Sequence, residues 1–162
     1  MELAKRKPNR LEAFDYASDG TYFITICTEN RKCILSRITV GATIGRPPEV
    51  APTKIGQCVN DAIISISSHY AGVFVDRYVI MPNHVHLLLR IDNGGRPMAA
   101  PTVSRIINHT KGFVSKQCGI SVWQKGFYDH IIRDERDYLI RAKYIEDNPA
   151  KWMEDDYYSS EA

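Results

Sequence analysis

Tyr22-Phe23-Ile24-Thr25-Ile26-Cys27 is a run of aromatic and β-branched residues and predicts a strand. Cys33 to Val40 offers a return strand. Gly41 to Thr53 holds Gly45, Pro47, Pro48 and Pro52 and reads as a loop. From Lys54 to Tyr70 the apolar residues Ile55, Val59, Ile63, Ile66 and Tyr70 recur at spacings of three and four, which predicts an amphipathic helix. Val73 to Ile80 and Val85 to Ile91 read as strands, joined by the turn-forming Met81-Pro82-Asn83 into an antiparallel hairpin. Asp92 to Pro101 is a second Gly/Pro loop. It echoes the first: Gly45-Arg46-Pro47 and Gly95-Arg96-Pro97 each lead to a threonine before a helix, making Thr53 and Thr102 candidate N-caps.

The second helix runs from about Val103 to Gln117, with Val103, Ile106, Ile107, Thr110, Phe113 and Val114 as its inner stripe. Ser121 to Tyr128 and His130 to Arg133 look extended. A third helix begins near Asp134, a candidate N-cap, and must stop by Pro149. This order of elements predicts an α+β fold, a ferredoxin-like sandwich whose central antiparallel sheet carries its helices mainly on one face.

At 162 residues, with 44% hydrophobic and 25% charged positions, the chain has the size and composition of one globular domain. No apolar run approaches the roughly 20 residues of a membrane span, and the N-terminus lacks a signal-peptide core, so a cytoplasmic location is the expectation. The four cysteines, Cys27, Cys33, Cys58 and Cys118, form no C-x-x-C pair and read as reduced thiols. A net charge of +2 does not by itself announce a nucleic-acid binder. The charge is uneven, however. Lys5, Arg6, Lys7 and Arg10 form a basic N-terminal arm, and Arg105, Lys111 and Lys116 decorate the second helix. These clusters read either as phosphate-tracking surfaces or as solvated polar faces.

His84-Val85-His86 carries the most chemistry. Side chains alternate along a strand, so the two histidines face the same way and can share one metal ion. The bland alternative is a pair of buried, hydrogen-bonded imidazoles. Imidazole suits zinc, copper, iron or nickel, and manganese less strongly. With only two protein ligands, a phosphate substrate would fill open positions and favour magnesium or manganese. Tyr144, on the third helix and off the apolar line of Tyr138, Ala142 and Ile145, is a candidate nucleophile or one of nine packing tyrosines. Asn148 follows it by four residues, on the same helix face, as a candidate third ligand or a simple helix end before Pro149. His130 either approaches the site or makes a structural hydrogen bond. No Walker glycine loop, G-x-S-x-G elbow or H-E-x-x-H helix is present.

Three blocks together resemble a known family: Tyr78-Val79-Ile80-Met81-Pro82-Asn83-His84-Val85-His86-Leu87-Leu88, then Trp123-Gln124-Lys125-Gly126-Phe127-Tyr128-Asp129-His130-Ile131-Ile132-Arg133, then Tyr144-Ile145 with Asn148-Pro149. The chain is similar to the single-tyrosine HUH transposases of the insertion-sequence type, in their REP-associated tyrosine transposase branch. The likeness spans roughly Tyr22 to Trp152. It implies a single HUH transposase-like domain over residues 1–162, with 1–20 as a basic arm and 150–162 as a C-terminal tail. It also implies cutting and rejoining of single-stranded DNA near palindromic hairpins. His84 and His86 would hold a divalent metal, magnesium or manganese, and Tyr144 would form a 5′-phosphotyrosine. Asn148 would stand where relatives place an amide ligand, commonly glutamine in the insertion-sequence branch. Binding would rest on a basic groove and base stacking, for which the charge clusters offer Lys5, Arg6, Lys7, Arg10, Arg105 and Lys111, and the protein would act as a homodimer or as a monomer. Two other readings compete: a domesticated, non-cleaving nucleic-acid hairpin binder, and an unrelated hydrolase with zinc on His84 and His86.

Overall fold

The computed structural model describes residues 19–39, 45–94 and 101–160. Its main sheet has four antiparallel strands: β1 (Gly20–Cys27), β4 (Val73–Ile80), β5 (His84–Ile91) and β6 (Tyr128–Ile131), in the spatial order β4-β5-β1-β6. The central strands β1 and β5 are buried along almost their whole length, as their near-continuous apolar runs demand. Their register places Cys27 opposite His84, Thr25 opposite His86 and Phe23 opposite Leu88.

That register sorts the chain onto two faces. Tyr22, Ile24, Ile26, Val85, Leu87, Leu89 and Ile91 join the larger core beneath α1 (Lys54–His69) and α2 (Val103–Cys118). Phe23 and Leu88 point the other way, into a smaller cluster with Ala142 and Ile145 of α3 (Glu135–Asp147). Two helices therefore share one face and the third covers part of the opposite face. His84 and His86, in step with Leu88, lie on the α3 side.

The expected helix caps form. Thr53 accepts a hydrogen bond from Gly56 N, Thr102 from Arg105 N and Asp134 from Asp137 N. Phe113 departs from the predicted inner stripe and is 43% exposed. The predicted break between two extended pieces at Asp129 is bridged by the single strand β6, paired to β1.

Two local expectations are corrected. Glu49–Pro52 is a strand, β3, not loop, and its partner is β2 (Ser36–Thr39) in a separate two-stranded sheet. Pro52 is tolerated because it closes a strand of a two-stranded ladder, where no central hydrogen bond is lost. β2 does not return along β1, because a short helical turn at Glu29–Arg31 diverts the chain. Asn30 and Arg31 there adopt left-handed backbone, with φ of 54° and 53°. Among the described residues no helix is long and apolar enough to cross a membrane.

The start of α1 is welded to the segment before β2. Thr53 Oγ1 donates to Ile34 O at 2.6 Å, and Thr53 N donates to Leu35 O at 2.9 Å. The helix then passes so near that a β-carbon on Gly56 would overlap the Leu35 carbonyl oxygen. Gly56→Ala should therefore destabilise the fold by about 2–3 kcal/mol, despite the gain of roughly 1 kcal/mol in helix propensity. Urea denaturation measures this; a variant as stable as the parent would refute the close approach.

Candidate metal and nucleophile site

The turn after β4 is fixed by its backbone. Met81 N donates to His84 O at 2.8 Å, Leu35 N to Pro82 O at 2.9 Å, and Thr28 N to Asn83 O at 2.9 Å. Asn83 is fully buried, and its Nδ2 donates to the carbonyls of Arg31 (3.2 Å) and Tyr157 (2.7 Å). Two carbonyl partners require the nitrogen on that side, so Oδ1 faces His84 Nδ1 at 2.8 Å as an acceptor. The His84 Nδ1 proton is thereby assigned, and its Nε2 carries a lone pair. His86 Nδ1 is hydrogen-bonded to Thr25 Oγ1 at 2.7 Å, its neighbour across the β1–β5 ladder.

The two rings lie 4.5 Å apart between centroids and are almost wholly buried. Burial pushes the His84 pKa down to about 4, opposed by the nearby Asp155 carboxylate and Asn148 amide and assisted by Arg31. Burial, then the charges of His84 and Arg141, hold His86 well below the usual histidine range. Both rings are neutral at neutral pH, as ligation requires.

The unfolded chain protonates each ring near pH 6.5. Between that value and about pH 4 the unfolded state therefore binds more protons than the folded one, and stability falls as pH falls. Chelator-treated protein should lose on the order of 3 kcal/mol across this window from His84 alone. A urea midpoint that stayed flat from pH ~6.5 to ~4 would contradict a buried neutral pair.

Tyr144 comes from α3. Ala142 and Ile145 anchor the helix to the sheet, which leaves Tyr144 41% exposed at the site's rim. Its ring centroid lies 5.1 Å from that of His86 and 5.9 Å from that of Phe23. Burial and the Asp155 charge raise its pKa, while the Asn148 amide and Arg141 pull the other way. Asn148 caps the helix with helical dihedrals (φ −57°, ψ −43°), so its side chain stays in line with Tyr144 one turn earlier. Its Nδ2 donates to Asp155 Oδ2 at 3.0 Å, which leaves Oδ1 as the inward-facing acceptor.

Asp155 was not legible as a site residue. It lies in the segment expected to be a tail, yet residues 149–160 fold back over the histidines. Tyr157 and Trp152 place their rings 4.6 Å and 6.0 Å from that of His84. Arg31 clamps the segment through Asp156 O at 3.4 Å and by stacking over Tyr157. One ligand atom each from His84, His86 and Asp155 lies within 4.8 Å of the others. The one available signal was the dense acid-aromatic run Glu154-Asp155-Asp156-Tyr157-Tyr158 after the helix end. A cavity of about 200 Å³ opens beside these groups, lined by Tyr144, Asp147, Asn148, Lys151, Glu154, Asp155 and Asp156.

The donor set fits a divalent cation. His84 Nε2, His86 Nε2 and Asn148 Oδ1 are buried and have no hydrogen-bond partner among the described residues. Leaving such atoms unsatisfied costs about 1–3 kcal/mol each. Two neutral imidazoles, an amide oxygen and a carboxylate suit a cation that accepts both nitrogen and oxygen.

The other sequence candidates lie elsewhere. Lys5, Arg6, Lys7 and Arg10 fall outside the described residues. Arg105 is exposed in the first turn of α2, on the helix pair behind the opposite face of the sheet. Lys111 is half-buried and donates to Gln124 O at 2.9 Å and Gly126 O at 2.8 Å, tying α2 to the loop before β6. His130 bonds Asp137 at 2.8 Å, the structural alternative of the two readings.

No family model matches the chain. It is 30% identical to an uncharacterized protein of Haemophilus influenzae over 94% of this chain and 93% of that one. It is 31% identical to a candidate REP-associated tyrosine transposase of the same organism, covering 85% and 74%. Identity to the REP-associated tyrosine transposase of Escherichia coli is 27%, covering 84% and 70%. A solved REP-associated tyrosine transposase bound to a REP hairpin superposes with a TM-score of 0.63 at 25% identity, covering 88% and 74%. A candidate transposase from Deinococcus radiodurans, 14% identical over 85% and 95%, shares the fold with a TM-score of 0.50.

Proposed function

The chain belongs to the REP-associated tyrosine transposase family, and from that premise we propose that it cuts and rejoins single-stranded DNA beside palindromic hairpins, with Tyr144 as nucleophile. One observation carries the reading. Three buried ligand atoms with no hydrogen-bond partner among the described residues, His84 Nε2, His86 Nε2 and Asn148 Oδ1, belong to residues set around a tyrosine that is itself exposed. A metal-free hairpin binder has no use for that combination. A zinc hydrolase would not need the tyrosine.

A magnesium or manganese ion, held by His84, His86 and Asn148 with Asp155 beside them, would polarise the scissile phosphate and offset the charge that develops on it. The chain's own residues do the rest. Asn83 and Thr25 hold the two imidazoles in place through Nδ1, leaving Nε2 to ligate. α3 brings Tyr144 into the lining of the cavity. The Tyr144 oxygen attacks phosphorus as the phenolic proton passes to solvent, which reaches the 41%-exposed side chain and supplies the proton for the leaving oxygen. The bond to the 3′ oxygen breaks, and that oxygen leaves as a hydroxyl once protonated. A strand's 3′-hydroxyl reverses the step to rejoin. The cavity holds four carboxylates, Asp147, Glu154, Asp155 and Asp156, against Lys151. Such a lining repels a bare phosphate and supports entry only together with a cation.

The likeness to a protein solved with a REP hairpin supports a hairpin-bearing substrate. Binding by exposed cations and stacked bases is the expected mode, with Arg105 and the N-terminal Lys5, Arg6, Lys7 and Arg10 as proposed phosphate contacts. The test is incubation of wild-type protein with a hairpin-bearing oligonucleotide, with manganese, magnesium or chelator. A covalent protein–DNA band that requires the metal is expected. Hairpin binding indifferent to chelator, with no covalent band, would instead identify a non-cleaving binder.

A further inference from the structure

Arg141 stands three residues before Tyr144 and seven before Asn148, so cation, tyrosine and amide follow one another along one side of α3. Its guanidinium carbon lies 5.0 Å from the centre of the Phe23 ring. The same ring stacks on His86 (5.3 Å, 24° between planes) and meets Tyr144 edge-on. Phe23, rooted in the central strand β1, thus sets the positions of the cation, the imidazole and the tyrosine together. Asp137, one turn earlier, aligns the guanidinium from behind, its Oδ1 3.7 Å from Arg141 Nε. Asp137 is in turn held by Arg133 N at 3.2 Å and His130 Nε2 at 2.8 Å.

The neighbouring cations are placed differently. Lys143 pairs with Asp147 at 3.0 Å; Lys151, 3.9 Å from the same carboxylate, is held no closer than Arg141 is by Asp137 but is not stacked on Phe23. Arg31 is bound to the 156–157 segment. Arg141 Nε lies 3.7 Å from Asp137 Oδ1, too far for a hydrogen bond, and is buried with no hydrogen-bond partner among the described residues. Its side chain is 30% exposed. Its charge reaches both His86 and Tyr144. A planar cation stacked on a ring, backed by a carboxylate and set beside a nucleophile is the arrangement that grips a phosphate.

We propose that Arg141 is a catalytic residue that binds a non-bridging oxygen of the scissile phosphate while Tyr144 attacks. The assignment rests on Tyr144 being the nucleophile. A merely structural Arg141 would serve to stack on Phe23 and bridge to Asp137.

The experiment uses full-length protein and a hairpin oligonucleotide carrying, at the linkage wild type cleaves, either the natural phosphate or a methylphosphonate that lacks one charged oxygen. Adduct formation by Arg141→Gln on the natural linkage should slow by about 100-fold, with partial rescue in Arg141→Lys. Tested as separated diastereomers, the methylphosphonate that replaces the oxygen Arg141 binds should slow wild type strongly but Arg141→Gln little further, because the group that senses that oxygen is already gone, while the other should slow both proteins alike. Equal penalties in wild type and variants for both diastereomers would overturn the role of Arg141 while leaving the nucleophile in place. Absence of any wild-type adduct on the natural linkage would overturn the underlying reading and this one with it.

Discussion

Tyr144→Phe will form no covalent complex with a hairpin-bearing oligonucleotide, a loss of at least about a thousand-fold against wild type. The substitution removes one oxygen and keeps the ring. The contacts of that ring with His86 at 5.1 Å and Phe23 at 5.9 Å remain. Because Tyr144 is 41% exposed, deleting its hydroxyl should change stability by less than about 0.5 kcal/mol. Hairpin affinity should likewise persist, since the substitution removes no positive charge and keeps the ring. A denaturing gel reads the covalent band, and a binding titration on the same sample shows that the loss lies in the chemical step. A Tyr144→Phe protein that still forms the band would remove Tyr144 from the mechanism.

Replacing the histidine pair should separate two effects that usually travel together. In His84→Leu with His86→Leu, metal-dependent cleavage should fall by three orders of magnitude or more, about 4 kcal/mol in barrier. Metal-free stability should change far less than two core substitutions normally cost. Each imidazole carries a buried Nε2 with no hydrogen-bond partner among the described residues, and the leucines remove that penalty while filling similar volume. Asn83 Oδ1 and Thr25 Oγ1 lose their imidazole partners, which offsets part of the gain. The sharper sign is linkage. Manganese at a hundred times its dissociation constant should stabilise wild type by about 2.7 kcal/mol. The double variant should show no such gain. Thermal unfolding with and without manganese measures both, and an equal shift in the two proteins would place the metal elsewhere.

Most of the scaffold was legible because it rests on local rules. Alternation put His84 and His86 on one face, the three-and-four spacing marked α1 and α2, and threonine or aspartate caps set three helix starts. The side of the sheet that α3 occupies was less visible. Its buried contacts are Ala142 and Ile145, while Leu139 and Ile140 are more than half exposed, so the apolar pattern hardly marks the packed face. The β2–β3 arm was hidden by prolines that normally signal a turn.

At the site, the structure brings together His84 and His86 of a strand with Tyr144 and Asn148 of a helix, all named from the sequence, and adds Asp155, which chain reversal brings in. Asp155 reaches His84 because Asn83, Arg31 and Cys33 hold the 156–159 backbone. None of those long-range bonds leaves a periodic trace. Charge alone marked Lys111 as a candidate phosphate contact; the structure adds that its ammonium holds two carbonyls of the 124–126 loop and that burial lowers its pKa, neither of which charge patterning reveals.

Two tyrosines flank the pair, Tyr144 against His86 and Tyr157 against His84. Tyr157 is the less suited to attack: burial, followed by the charges of Cys27 and Tyr144, pushes its pKa up to about 12. Its backbone is also held by Asn83. Proteolysis of the trapped protein–DNA complex, followed by mass spectrometry of the nucleotide-bearing peptide, asks directly which oxygen carries the strand. The modification is expected on Tyr144 alone; a nucleotide on Tyr157 or any other residue, or none in the presence of metal, would contradict the mechanism.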